Sequence, residues 1–169
     1  MTTELPGQEQ KDGALVGNKW ILPTDMNIVS RAEEEFGKRL VATGWTNDEI
    51  NWLRVAFREA LINAIVHGNL SIKDKLETQD WAEAADAVLN AQPTGKKVFV
   101  KLDISPYRIE VVVRDEGKGF DYTKVADPTE GTAVLESSGR GMLFMKTFFD
   151  SITYNGVGNE VTMVKIKSD

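Results

Sequence analysis

At 169 residues the chain has the length of one compact domain, and its 41% hydrophobic and 27% charged content excludes disordered and fibrous classes. A net charge of -6, from 20 basic and 26 acidic side chains with no Lys/Arg cluster, argues against direct nucleic-acid binding. The absence of cysteine and the presence of a single histidine exclude thiol catalysis, disulfides and a histidine-built zinc site, so any metal is expected on oxygen ligands.

No basic segment followed by an apolar stretch opens the chain, and no apolar run approaches bilayer length, so a cytoplasmic protein is expected. Residues 1–17 lack a periodic apolar pattern and read as a flexible tail, leaving 18–169 as a single domain. Lys19 to Leu22 reads as a short strand. Thr24 to Thr43 reads as a helix, with Ile28, Ala32, Phe36 and Leu40 marking a core-facing stripe. Thr46 with Glu49 is a capping-box signature, opening a helix expected to run to about Gly68.

Residues 71–97 are polar, and within them Trp81, Ala84, Ala85, Val88 and Leu89 recur at helical spacing behind a cap expected at Thr78. A short amphipathic helix packed against the body is the simpler account, a partner-docking element the alternative. Lys97 to Ile104 and Arg108 to Arg114 are β-rich runs joined at Ser105-Pro106-Tyr107, and the second delivers Asp115 at its end. Asp121 to Gly139 reads as a long loop, and Gly141 to Phe149 as a helix. Ser151 to Asn155 and Glu160 to Lys167 close the chain as an antiparallel pair.

Three stretches carry chemistry. Glu59, Asn63 and His67 are spaced by four along one side of their helix, beside the apolar Leu53, Phe57, Ala60, Leu61 and Ala64. Any two of them would suit a solvated helix face. Asn is nevertheless a poor residue for a helix interior, and Gly68-Asn69 permits close backbone approach. An Asn amide oxygen can hold Mg²⁺, and a carboxylate one turn away can accept a proton. Asp115-Glu116-Gly117-Lys118-Gly119-Phe120 sets a carboxylate at a strand end before two glycines, an arrangement that serves either as a turn or to read the exocyclic amine of adenine. Ser137-Ser138-Gly139-Arg140-Gly141-Met142 joins a loop to a helix, where main-chain amides and the positive helix end attract phosphate; a capped glycine linker is the plainer reading, and no P-loop is present.

Taken in order, Glu59 to Asn69, Asp115 to Phe120 and Gly139 to Met142 resemble the N, G1 and G2 boxes of the GHKL ATPase superfamily, best in its anti-sigma-factor serine/threonine kinase branch. Chance agreement at the first box alone has odds on the order of 10⁻⁷ per window. The resemblance spans Lys19 to Lys167 apart from a helical insertion at 71–97. It implies the Bergerat ATP-binding fold, an α/β (α+β) two-layer sandwich whose mixed, mostly antiparallel sheet is covered on one face by helices, with an ATP lid at about 121–140. By the same resemblance ATP and Mg²⁺ are the cofactors, Glu59 is the catalytic base, and Asn63 is the metal ligand. Asn63, His67, Asp115, Gly117, Gly119, Phe120, Gly139, Arg140, Gly141 and Met142 contact the nucleotide. The last box departs from the pattern, since Gly158-Asn159 stands where the superfamily often has Gly-Thr and leaves the outer adenine contact open.

The one histidine lies inside the first box, so a self-contained histidine kinase is not expected, nor is a further domain of the kind that completes a gyrase-like ATPase. The resemblance therefore implies an ATP-dependent anti-sigma regulatory factor phosphorylating a small anti-anti-sigma partner of the STAS type. A sigma factor is its second partner, and homodimerisation is carried over from the branch. The alternative is a nucleotide-gated binding protein that sequesters a regulator without phosphorylating anything.

Overall fold

The computed structural model describes residues 13–73, 80–119 and 137–168, without the side chains of 137–142. Strand β1 (Lys19–Pro23) leads into helix α1 (Asn27–Ala42), whose start is tied by the Asn27 amide donating to Asp25 Oδ1. The expected stripe is realised, with Ile28, Ala32, Phe36 and Leu40 all buried. Helix α2 (Asn47–Ile62) opens on the expected capping box: Glu49 N donates to Thr46 Oγ1 at 3.2 Å and Thr46 N to Glu49 Oε1 at 3.3 Å.

Regular α-helical bonding does not continue to Gly68. Residues Asn63–Asn69 form a π-helical segment in which Leu70 N reaches back to Ile65 O. The extra residue per turn bulges the backbone, a distortion that recurs at functional sites. The chain then turns through Ser71, the one non-glycine described with a positive φ, at 54°.

Helix α3 (Trp81–Ala91) occupies the insertion, and its cap is Asp80, whose Oδ1 accepts from Glu83 N at 2.8 Å. Thr78, expected in that role, lies outside the described residues. Strands β2 (Lys97–Ile104) and β3 (Arg108–Arg114) match the expected bounds, and Ser105 closes their turn with Arg108. Helix α4 (Ser137–Phe148) begins at Ser137 rather than Gly141, so the glycine-rich box is helical backbone rather than the end of a loop. Residues 120–136, including most of the expected lid, lie outside the described residues. Strands β4 (Ser151–Tyr154) and β5 (Glu160–Ile166) pair as expected.

The described sheet runs β1-β2-β3-β5-β4, and every pairing in it is antiparallel. One register row crosses the sheet through Trp20, Val100, Val113, Val161 and Tyr154. Alternate residues such as Lys101, Asp103 and Arg114 are exposed, because successive side chains of a strand point to opposite faces. Buried strand and helix residues form a single core in which Phe36 and Phe57 meet at 4.5 Å with their planes tilted by 40° and Trp20 meets Phe57 edge-on at 6.4 Å. Burying each of these rings contributes about 2–3 kcal/mol. Glu33 of α1 pairs with both Arg54 and Arg58 of α2, which sets the two helices against each other.

Candidate nucleotide site

A cavity of about 590 Å³ lies between α2 with its π-helical extension, the far ends of β3 and β5, and α4. Asn63, Ala64, His67 and Gly68 form its helical side. Val113 and Val161 are neighbours in the register row that lines its sheet side, and Met145 of α4 adds another apolar surface. Apolar walls around a few polar groups suit a flat heteroaromatic ring.

Asp115 supplies the main polar group. It follows β3 directly, is 9% exposed and lines the cavity. Its Oδ1 accepts from Gly117 N at 2.8 Å, which fixes the plane of the carboxylate. Burial, the largest influence, pushes its pKa from 3.8 up to about 6, against the Gly117 hydrogen bond and the nearby Lys96 charge. The carboxylate packs directly on Gly68, where a β-carbon would collide with its Cγ, and a β-carbon at Gly117 would strike the Gly68 carbonyl. These contacts join the first two boxes, and only glycine admits them. Gly119 has φ +77° against the Val157 carbonyl, a second position where a side chain would be both strained and blocked.

Two asparagines hold this arrangement. Asn69 is 5% exposed, and its Nδ2 donates to Thr24 Oγ1 and Lys97 O while its Oδ1 accepts from Glu116 N at 2.7 Å. It faces protein on every side and clamps the π-helical segment to β2 and to the loop after Asp115. Asn69→Ala leaves buried groups without partners, so urea unfolding is expected to show a loss of about 2–4 kcal/mol. A loss within 0.5 kcal/mol would mean that water replaces the amide. Asn159 brackets Asp115 from the other side: Asp115 N donates to Asn159 O, and Asn159 Nδ2 donates to Asp115 O at 3.1 Å. Its Oδ1 accepts from Asn155 Nδ2, so the side-chain amide of Asn159 is taken up by the protein.

Glu59 lies on α2 one turn before Asn63, half-buried and outside the cavity lining. His67 lines the cavity, and its Nδ1 lies 2.6 Å from Ile72 O. Gly139, Arg140, Gly141 and Met142 belong to the first turns of α4, while Phe120 lies outside the described residues. Among the described residues no group of three or more His, Cys, Asp or Glu could hold a metal ion.

A model of the histidine kinase-like ATPase domain matches residues 22–165. The chain belongs to this family. Within it, the chain is similar to the anti-sigma F factor of Clostridium botulinum (strain Eklund 17B / Type B), 25% identical over 85% of this chain and 91% of that protein. It is also similar to the anti-sigma F factor of Clostridium beijerinckii, 27% identical over 84% of this chain and 90% of that protein. The serine-protein kinase RsbW of Bacillus subtilis (strain 168) is 27% identical over 72% of this chain and 68% of its own length. The sequence resemblance to the GHKL superfamily is therefore borne out.

Several cavity residues of this ATPase domain had no signal in the sequence boxes. Ser71, Ile72 and Lys73 line the cavity from the start of the insertion, and Tyr154 from β4. Burial pushes the Tyr154 phenol up to about 12. Strand alternation alone could have found Tyr154, because it pairs with Val161. No helix among the described residues is long and apolar enough to cross a membrane.

Proposed function

We propose that this ATPase domain binds Mg·ATP in the cavity and transfers the γ-phosphoryl group to a serine or threonine of a small anti-anti-sigma partner of the STAS type. In doing so it controls the release of a sigma factor. The observation that carries the nucleotide is the buried Asp115 carboxylate, its plane set by Gly117 N against the Gly68 backbone. An acceptor in that setting takes the exocyclic amine of adenine and rejects the carbonyl oxygen that guanine carries at the same position. Support for the regulatory role comes from the relatives, named anti-sigma F factors and a serine-protein kinase.

Asn63, where α2 gives way to the π-helix, would contribute its amide oxygen to Mg²⁺. The ion would offset phosphate charge. Gly139 to Met142, in the first turns of α4, would offer main-chain amides to the phosphates, and Arg140 a fixed cation. In the transfer step the partner's hydroxyl oxygen bonds to the γ-phosphorus, the bond from that phosphorus to the β,γ-bridging oxygen breaks, and ADP departs. The hydroxyl proton goes to the Glu59 carboxylate. Positioning and charge neutralisation supply most of the acceleration in such transfers.

Calorimetry with ATP, ADP and GTP in Mg²⁺ tests the binding half, and incubation of γ-labelled ATP with the cognate STAS partner tests the transfer half. Adenine nucleotides are expected to bind and GTP to bind at least about tenfold more weakly, because the buried acceptor would face an acceptor. Label is expected on a serine or threonine of the partner. No heat with any adenine nucleotide would overturn the proposal.

A further inference from the structure

The insertion does not merely decorate the domain, because its first helical residue touches the nucleotide cavity through one intermediary. Trp81, at the start of α3, meets the His67 ring edge-on, with centroids 4.8 Å apart and planes at 78°. Asp80 caps that helix start, and Ala84 and Ala85 bury its next turn, so Trp81 is presented from an anchored element. On its other side the His67 ring is held by Ile72 O at 2.6 Å from Nδ1. A carbonyl only accepts, so Nδ1 carries the proton and the ring orientation is defined. Ile72 reaches that point because the chain turns at Ser71 through φ 54°, a costly conformation for a residue with a side chain. His67 itself lines the cavity one residue after the midpoint of the π-helical segment Asn63–Asn69, where an unsupported side chain would sample several rotamers.

We infer that the helix of the insertion is a component of the nucleotide site: Trp81 is a positioning residue that orients His67 against bound nucleotide. The inference rests on the proposed nucleotide binding and assigns the insertion a part in it. An edge-to-face aromatic contact of this kind supports about a five- to tenfold change in affinity when it is removed. The effect is expected on binding, since neither Trp81 nor His67 takes the proton or the phosphoryl group in the proposed transfer.

The chain's single histidine makes the test site-specific. In proton NMR the imidazole signals can belong to His67 alone. Titrating the full chain with Mg·ATP is expected to move the His67 Hε1 resonance, saturating at the dissociation constant that calorimetry reports. Trp81→Ala is expected to shift that resonance in the nucleotide-free protein, as the indole ring current is lost, and to weaken ATP binding about five- to tenfold. Trp81→Phe, which keeps an aromatic edge, is expected to restore most of the affinity, and thermal melting establishes that both variants fold. In the transfer assay KM for ATP rises while kcat stays within twofold. A His67 resonance that ignores saturating ATP bound by the wild type, or Trp81→Ala affinity within twofold of wild type, would overturn the inference and leave nucleotide binding intact. Absence of any ATP binding by the wild type is a different result, which overturns the nucleotide proposal and this inference together.

Discussion

Asp115→Asn is expected to weaken ATP binding by about a hundredfold or more while making the nucleotide-free protein more stable. The loss follows from hydrogen-bond polarity. Gly117 N donates to Asp115 Oδ1, so an asparagine that keeps this bond turns its NH₂ group toward the base. A donor then meets the adenine amine, also a donor, and a charge-assisted bond becomes an unsatisfied buried contact. The same NH₂ would meet the guanine carbonyl favourably, so the preference for ATP over GTP should shrink or reverse.

The gain in stability follows from burial. The carboxyl's pKa is raised from 3.8 to about 6, which means that the ionised form is disfavoured in the folded state. A raised carboxyl leaves stability intact below the unfolded value and removes it as pH rises through the folded value. The wild type therefore loses stability between about pH 4 and 6, and carries the whole cost above that range. Asparagine has no such cost. At pH 7.5 the variant should be more stable by on the order of 1–2 kcal/mol, a figure reduced from the full shift because water in the cavity screens the carboxylate. At pH 4 the two proteins should unfold together. ATP affinity in the wild type should correspondingly fall as pH drops below about 6. Equal stability of the two proteins at pH 7.5 would show that the apo carboxylate is not penalised by its surroundings.

Glu59→Gln is expected to abolish transfer and spare binding. Glu59 stands one turn from Asn63 on α2 and outside the cavity lining, so the amide should leave the ATP dissociation constant within about threefold. A glutamine cannot accept the hydroxyl proton, and loss of a positioned base lowers the rate by about 10²- to 10⁴-fold. Single-turnover transfer of γ-labelled phosphate to the partner measures this directly. Residual transfer within tenfold of wild type would remove Glu59 from the role of base. A wild-type protein that binds ATP tightly yet labels no STAS partner would instead favour the sequestering regulator.

Much of the scaffold was legible in the chain because short-range physics dictates it. The stripe at Ile28, Ala32, Phe36 and Leu40, the Thr46–Glu49 box and the Ser105 turn all express spacings and hydrogen bonds between near neighbours. Helix ends were less legible. The α-to-π change at Asn63 is not encoded by any local propensity, and the start of α4 at Ser137 overrode the loop character of its glycines. The roles of Asn69 and Asn159 in holding the Asp115 loop were not legible, because the groups they clamp lie far away along the chain at Thr24, Lys97, Glu116 and Asp115.

By itself the sequence determined the order of the elements, the box residues and the family, since these depend on spacing along one chain and on residue type. Only the tertiary structure decided that Gly68 must be bare to seat the Asp115 carboxylate, that burial there lifts its pKa, and that the insertion reaches His67 through Trp81. Each of those is a contact between segments distant in the chain. Its energy depends on distance and on exclusion of water, quantities that exist only once the sheet and helices have closed on each other.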